Sequence, residues 1–492
     1  MAYEFGNRLA ESTAANQNRN AGVYTRTLIG QTIRETPVPV WTAEAAQHPF
    51  VTFEDPSTRK RIGISKDMLS YGFLTLAEPG GGKTNLLNMI TRQLLVSQEK
   101  GDKIIIFDTK GDYYREFGDR IPKKDCIVVG AGSEYAGLTG CHNLFAEIMP
   151  RAGNGRLVYT PDSDSDALEK TKQLFSGMQS ESQPIFPAMA EQIVAGLLIY
   201  FMRRYWMSEP EMLNNEAFIR FVTASTNAEL KAVFELDYMK DYRNCISYIA
   251  GTNNQTQGVS SYIGTVLREL FIGPFAKHDP GREFSMREVV DAADRKVVFV
   301  EYDLRRGKTL APMYGLLMDS ALANALGGRN TARNNVYFIW DEMLLLPKLT
   351  HFSDGLNFGR SQGVKILCGL QNFSSLADIY EEIGAKRVLS SFQNIVAFHN
   401  ADYDTRCFLM NRFGANYQNL SFSSQQSNIH TQREGHTVED NDILSLGLGE
   451  AIVSLKNEAP FFSGCRGITD KQRRRAVCLR ATKEWSCASA TD

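Results

Sequence analysis

The chain alternates short, mostly apolar runs with longer segments in which apolar residues recur every three or four positions. The short runs are typical of parallel strands that are buried on both faces of a sheet. They lie at residues 73–76, 103–107, 126–130, 297–300, 336–340, 364–367 and 395–398. Helical spacing is found at residues 85–96 and throughout residues 164–270. The pattern predicts an α/β domain that is interrupted by an all-α insertion.

These changes in pattern predict the domain boundaries. Residues 1–35 are rich in Asn, Ala, Thr and Arg and have no periodicity, so we predict a flexible N-terminal arm. The α/β domain is predicted over residues 36–155 and 280–465, and the all-α domain over residues 156–279. The remaining residues, 466–492, are predicted to be a C-terminal tail.

Composition and charge narrow the class of protein. Of the 492 residues, 43% are hydrophobic and 22% are charged, which excludes a wholly disordered or collagen-like chain. The net charge is −2, so any nucleic acid would need a local basic surface. The eight cysteines form no C-x-x-C pair, which favours reduced thiols in the cytoplasm.

No membrane segment is predicted. The longest clean apolar run, residues 193–202, is shorter than the roughly 20 residues that a transmembrane helix needs. The polar N-terminus also lacks the apolar core of a signal peptide. We therefore expect a cytoplasmic protein that reaches the inner face of the membrane only through a partner.

A glycine-rich segment follows the first apolar run. Residues 77–84 read A-x-x-x-x-G-K-T, which is the phosphate-loop pattern except that Ala77 replaces the usual glycine. Backbone N–H groups of such a loop surround phosphates, Lys83 would reach the β- and γ-phosphates, and Thr84 would bind Mg²⁺. The predicted nucleotide-binding residues are Glu78, Pro79, Gly80, Gly81, Gly82, Lys83, Thr84 and Asn85.

A phosphate loop also needs an acidic group at the end of another strand. Asp341 and Glu342 end the run at residues 336–340, and Asp108 ends the run at 103–107. We assign Mg²⁺ to Asp341 and the polarisation of the attacking water to Glu342, because the adjacent acids can divide these tasks. For Asp108 a structural role, a substrate-side role and no role remain open.

Two further residues complete a candidate catalytic set with Lys83 and Glu342. Gln371 follows the run at 364–367, and its amide could sense the γ-phosphate. Arg360 lies in the sequence FGRSQG, and its guanidinium could stabilise phosphoryl charge on a neighbouring subunit.

From about residue 50 to about residue 465 the chain resembles the conjugative coupling proteins, the TraD/TraG-type ATPases of type IV secretion, which belong with the FtsK/HerA-like DNA motors. The resemblance rests on the phosphate loop, on residues 107–112 (FDTKGD), on the all-α insertion and on residues 284–290. It extends to Asp341 and Glu342, with Arg360 and Gln371 standing 19 and 30 positions after Asp341.

The resemblance implies a RecA-like P-loop NTPase core with an inserted all-α domain. It further implies ATP and Mg²⁺ as ligands, a hexameric ring completed by Arg360 in trans, and translocation of DNA, most simply single-stranded. Relaxase and type IV secretion components would be partners. The chain departs from many family members in that no N-terminal transmembrane helices are predicted.

Two other functions remain open at this point. One is a soluble FtsK/HerA-like translocase that acts in DNA processing, packaging or defence. The other is a receptor for secreted proteins in which ATP turnover is slow. The residues that would line a DNA channel are not predicted from the sequence.

Overall fold

The computed structural model describes residues 22–35, 50–55, 59–176, 185–250, 254–327, 334–423 and 428–464. Its strands are β1 (Gly22–Ile29), β2 (Val51–Glu54), β3 (Arg61–Ile64), β4 (Phe73–Leu76), β5 (Lys103–Asp108), β6 (Cys126–Val129), β7 (Cys141–His142), β8 (Glu283–Phe284), β9 (Lys296–Glu301), β10 (Val336–Trp340), β11 (Val364–Leu370), β12 (Asn394–Phe398), β13 (Ala415–Ser423), β14 (Asn428–His436), β15 (Glu450–Ser454) and β16 (Phe461–Gly464).

The α-helices are α1 (Lys83–Val96), α2 (Asp112–Phe117), α3 (Leu144–Ile148), α4 (Ser163–Leu174), α5 (Ile185–Tyr205), α6 (Asn215–Ala224), α7 (Asn227–Glu235), α8 (Cys245–Ile249), α9 (Asn254–Leu270), α10 (Met286–Asp291), α11 (Gly307–Gly327), α12 (Phe352–Phe358), α13 (Phe373–Ser391), α14 (Tyr403–Phe413) and α15 (Asp440–Leu444).

A nine-stranded sheet organises the fold, in the order β16-β15-β12-β4-β11-β10-β5-β9-β6. The seven strands from β12 to β6 are mutually parallel, whereas β15 and β16 are antiparallel additions at one edge. All seven predicted apolar runs form these parallel strands, which confirms the α/β interpretation. Because the strands are parallel, the loops that follow β4, β11, β10, β5 and β9 emerge along one carboxyl-terminal edge.

Both faces of the sheet are covered by apolar side chains. In β5, Ile104 and Ile106 join a cluster with α1, α2 and β2–β3. Ile105 and Phe107 point to the opposite face and join a larger cluster. That larger cluster continues without a break into the helices of residues 163–270, so the helical segment shares its core with the sheet.

Helix α11 connects the sheet to the helical segment. It packs against α4 and α9 of the helical segment and also against α12 and β11. Between residues 157 and 280 the described part of the chain is helical apart from turns and an isolated bridge, in agreement with an all-α insertion. Within it, α5 is long and apolar enough to cross a membrane, but 61% of its most apolar window is buried in the fold.

The predicted arm of residues 1–35 is wrong in part. Gly22–Ile29 forms β1, which pairs antiparallel with β13 in a separate three-stranded sheet, β1-β13-β14. These strands are rich in polar residues, so backbone hydrogen bonds hold them together without the apolar alternation that predicts a half-buried strand. Residues 1–21 and the tail at 466–492 lie outside the described residues.

A buried lysine stands at the amino-terminal end of β11. Lys365 is only 3% exposed, and its Nζ donates to Asn335 Oδ1 at 2.6 Å and lies 5.5 Å from the centre of the Tyr337 ring. Burial lowers the pKa of Lys365 to about 8. The folded chain therefore releases this proton at a lower pH than an unfolded chain, in which the pKa of lysine is about 10.4.

Lys365→Met should reduce the pH dependence of stability. Between pH 8 and about 10.4 the unfolded chain binds more protons than the folded chain, so the free energy of unfolding rises with pH. The substitution should lower that rise by about 1–3 kcal/mol. Urea denaturation at pH 7.5 and pH 10 measures it, with Lys100→Met as the control because that side chain is 82% exposed. An unchanged rise in the Lys365 variant would contradict the prediction.

Candidate active site

The loop between β4 and α1 has a backbone that requires glycine. Gly80 and Gly82 have φ values of +83° and +117°, a region that other residues rarely adopt. A Cβ on Gly82 would lie 3.3 Å from the ring of Phe398. A Cβ on Gly81 would lie 3.0 Å from Ala77 Cβ, so the alanine at the first motif position is accommodated because Gly81 lacks a side chain.

The other loop residues have distinct surroundings. Glu78 accepts a hydrogen bond from the backbone N–H of Ala401, and its Oε2 lies 3.6 Å from His399 Nδ1. This ties the loop to the segment after β12. Pro79 and Asn85 are exposed.

Lys83 and Glu342 form a buried ion pair at the carboxyl-terminal edge of the sheet. Lys83 Nζ lies 2.9 Å from Glu342 Oε2, and the two side chains are 9% and 10% exposed. Gln371 Nε2 donates to the same oxygen at 2.8 Å. Glu342 Oε1 is buried and has no hydrogen-bond partner among the described residues. The ion pair and Gln371 thus use only one of the two Glu342 carboxylate oxygens.

Three hydroxyl groups donate hydrogen bonds to the Asp341 carboxylate. Thr84 Oγ1 and Thr109 Oγ1 each donate to Oδ2 at 3.2 Å, and the Tyr113 hydroxyl donates to Oδ1 at 3.3 Å. The neighbouring Thr84 hydroxyl and Asp341 carboxylate are oxygen donors of the kind that Mg²⁺ prefers, so the residues fit this ion. Thr109 and Tyr113 were not predicted as site residues, since the FDTKGD segment gives Thr109 no role of its own and Tyr113 follows that segment.

Asp108 organises the turn that leads into α2. Its carboxylate accepts from the backbone N–H groups of Lys110, Asp112, Tyr113 and Tyr114 at 2.8–3.3 Å. Burial nevertheless raises the pKa of Asp108. Of the three roles left open for this residue, the geometry supports the structural one.

Arg360 and Gln371 lie at opposite ends of β11. Gln371 follows the strand at the edge that holds Lys83, whereas Arg360 precedes it; the seven residues of β11 span about 20 Å. The Arg360 guanidinium pairs with Asp67 through two hydrogen bonds of 3.1 and 3.2 Å and lies 4.6 Å from the centre of the Tyr71 ring. Arg360 is thus away from the Lys83 site of its own subunit.

Comparison with known proteins identifies the family. A family model described as the type IV secretion-system coupling protein DNA-binding domain matches residues 60–444. The chain belongs to this family. It is 20% identical over 370 residues to the coupling protein TraD of Escherichia coli (strain K12), a match that covers 75% of the chain and 47% of TraD. The chain therefore spans about half the length of this curated relative.

Solved structures of other coupling proteins share the fold. The bacterial conjugative coupling protein TrwBdeltaN70, in an unbound form, has a TM-score of 0.68 at 17% identity, with 90% of this chain and 94% of that chain covered. TrwB in complex with a non-hydrolysable ATP analogue has a TM-score of 0.67 at 18% identity, with 90% and 95% covered. TrwB in complex with ADP and Mg²⁺ has a TM-score of 0.62 at 18% identity, with 83% and 88% covered. The RecA-like core with an all-α domain is thus confirmed.

Asp108→Ala should destabilise the chain in the absence of any nucleotide. Four backbone N–H groups would lose their acceptor, and we expect the free energy of unfolding to fall by about 2–4 kcal/mol. Urea denaturation followed by circular dichroism measures the change. Asp119→Ala, at an exposed position after α2, is the control and should stay within about 0.5 kcal/mol. A loss below about 1 kcal/mol for Asp108→Ala would argue against the structural role.

Proposed function

We propose that the chain is the ATPase module of a conjugative coupling protein, which hydrolyses ATP to move single-stranded DNA and its relaxase into a type IV secretion channel. This proposal rests on one observation. Five side chains are joined by hydrogen bonds at the carboxyl-terminal edge of the sheet, namely Lys83, Thr84, Asp341, Glu342 and Gln371. Family membership and the nucleotide complexes of TrwB support it.

Before nucleotide binds, Lys83 is paired with Glu342. Backbone N–H groups of the glycine loop and the start of α1 would receive the phosphates of ATP. Lys83 would then turn from Glu342 to the β- and γ-phosphates, which releases the Glu342 carboxylate to accept a proton from the attacking water. The Gln371 amide would hold the Glu342 carboxylate in position through the hydrogen bond between them. That hydrogen bond would change as the γ-phosphate leaves.

The residues that would hold Mg²⁺ are Thr84 and Asp341. When bound, the ion would offset negative charge on the phosphates. Thr109 and Tyr113 would orient Asp341 through their hydroxyl groups, since they donate to both of its carboxylate oxygens. Positioning of this kind matters because a ligating carboxylate must be held in place by its neighbours.

Arg360 would act on the active site of a neighbouring subunit. It is 53% exposed and stands at the edge of the sheet opposite to its own nucleotide loop, so a second copy is needed to complete each site. A head-to-tail arrangement that closes on itself makes a ring, for which we propose a hexamer. An arginine supplied in this way accelerates phosphoryl transfer by roughly 10³–10⁵ in other enzymes.

The remaining partners follow from the same proposal. Relaxase and secretion components would dock on the ring, and the chain would act in the cytoplasm, at the inner face of the membrane through a partner.

Mixing two inactive variants should restore ATP hydrolysis. Lys83→Ala removes the phosphate-binding amine, and Arg360→Ala removes the finger but leaves ATP binding intact. In a ring assembled from equal amounts, about a quarter of the interfaces combine an intact loop with an intact finger. Hydrolysis should therefore return in the mixture, and single-stranded DNA should stimulate it.

The control for this experiment is Arg387→Ala, which removes an exposed arginine on α13 and should remain active alone. Hydrolysis by Arg360→Ala alone at the unsubstituted rate would contradict the role in trans. Hydrolysis that never responds to DNA would instead favour a receptor for secreted proteins.

A further inference from the structure

A cluster of unpaired cations stands at the carboxyl-terminal edge of the sheet, beside the candidate active site. Arg305, Arg306 and Lys308 follow β9, and Lys110 follows the adjacent strand β5. All four are exposed, and none forms an ion pair with another described residue. Leu304, at the tip of the same turn, is 75% exposed. We call these five residues the cationic patch.

The turn that carries the patch is tightly held. Asp303 Oδ1 accepts from the backbone N–H groups of Arg305 and Arg306 at 2.8 and 3.2 Å. The Tyr302 N–H donates to Asp108 O at 2.8 Å, and a Cβ on Gly307 would overlap the Tyr302 ring. The Asp303 carboxylate thus fixes the backbone of the turn from which the side chains of Arg305 and Arg306 extend.

The patch is connected to the acid that would bind Mg²⁺. Lys110 follows Thr109 directly, and the Thr109 hydroxyl donates to Asp341. Strands β10, β5 and β9 are consecutive neighbours, so the end of β9 lies about 10 Å across the sheet from the end of β10. A ligand on the patch would therefore lie beside the nucleotide and remain separate from it.

We propose that the cationic patch binds the sugar–phosphate backbone of single-stranded DNA and that Leu304 contacts a base or a sugar. Four cations without acidic partners in a chain of net charge −2 are complementary to a polyanion. Contacts of lysine and arginine with phosphates carry no sequence information, as a motor that moves along any strand requires. This inference rests on the proposed function and assigns to it a DNA-binding surface.

The test is a comparison of two triple variants of the full chain. Arg305→Ala/Arg306→Ala/Lys308→Ala removes three charges from the patch. Arg120→Ala/Lys123→Ala/Lys124→Ala removes three exposed charges near the start of β6, at the opposite edge of the sheet. Fluorescence anisotropy with a labelled oligothymidylate of about 30 nucleotides gives the affinity across a range of salt concentrations.

The patch variant should bind DNA at least about tenfold more weakly at moderate salt, and its logarithmic salt slope should fall by about 2, or about 0.7 per lost contact. The control variant should match the unsubstituted chain. Hydrolysis of ATP without DNA should be unchanged in both variants, whereas DNA stimulation should be lost only in the patch variant. The single substitution Arg306→Gln should lower the slope by about 0.7 and serves if the triple variant does not fold.

Equal affinity and slope in the patch and control variants would overturn the patch while leaving the proposed ATPase in place. An unsubstituted chain that hydrolyses ATP but binds no DNA would overturn both the patch and the proposed DNA motor.

Discussion

The ion pair between Lys83 and Glu342 joins two parts of the chain that are 259 positions apart. Both side chains are about nine-tenths buried, so the loss of either one would leave a buried charge without its partner. The pair therefore holds the glycine loop against the end of β10 before any nucleotide arrives.

Different candidate functional residues lie at the carboxyl-terminal and amino-terminal edges of the parallel sheet. The carboxyl-terminal edge carries the glycine loop, Gln371, the acidic pair and the cationic patch, in the order of the strands β4, β11, β10 and β5–β9 that they follow. Arg360 stands at the other edge, where Asp67 and Tyr71 hold it. Under the proposed function, the nucleotide site of one subunit would meet Arg360 of a neighbouring copy, because the two lie at opposite edges of the same sheet.

The parts of this arrangement that were predicted depend on short sequence patterns. Apolar runs mark the seven parallel strands, and the glycine loop and the Asp341–Glu342 pair are each contiguous. The hydroxyl groups around Asp341 were not predicted, because Thr109 is 232 positions away from Asp341 and nothing in the FDTKGD segment shows that the two side chains meet. The polar strands β1, β13 and β14 also lack the alternation that indicates burial. The cationic patch was not predicted: residues 304–308 are contiguous, but the sequence does not show that their charges lack acidic partners or that Lys110 follows a strand adjacent to theirs.

The most direct test of the shared magnesium nucleotide site is the affinity for ATP, measured by calorimetry with and without Mg²⁺. In the unsubstituted chain Mg²⁺ should strengthen binding. In Asp341→Asn that gain should disappear, while binding without Mg²⁺ persists because Lys83 and the glycine loop are intact. An Asp341→Asn variant that keeps the full gain would show that the loop and the acidic pair do not serve one magnesium nucleotide.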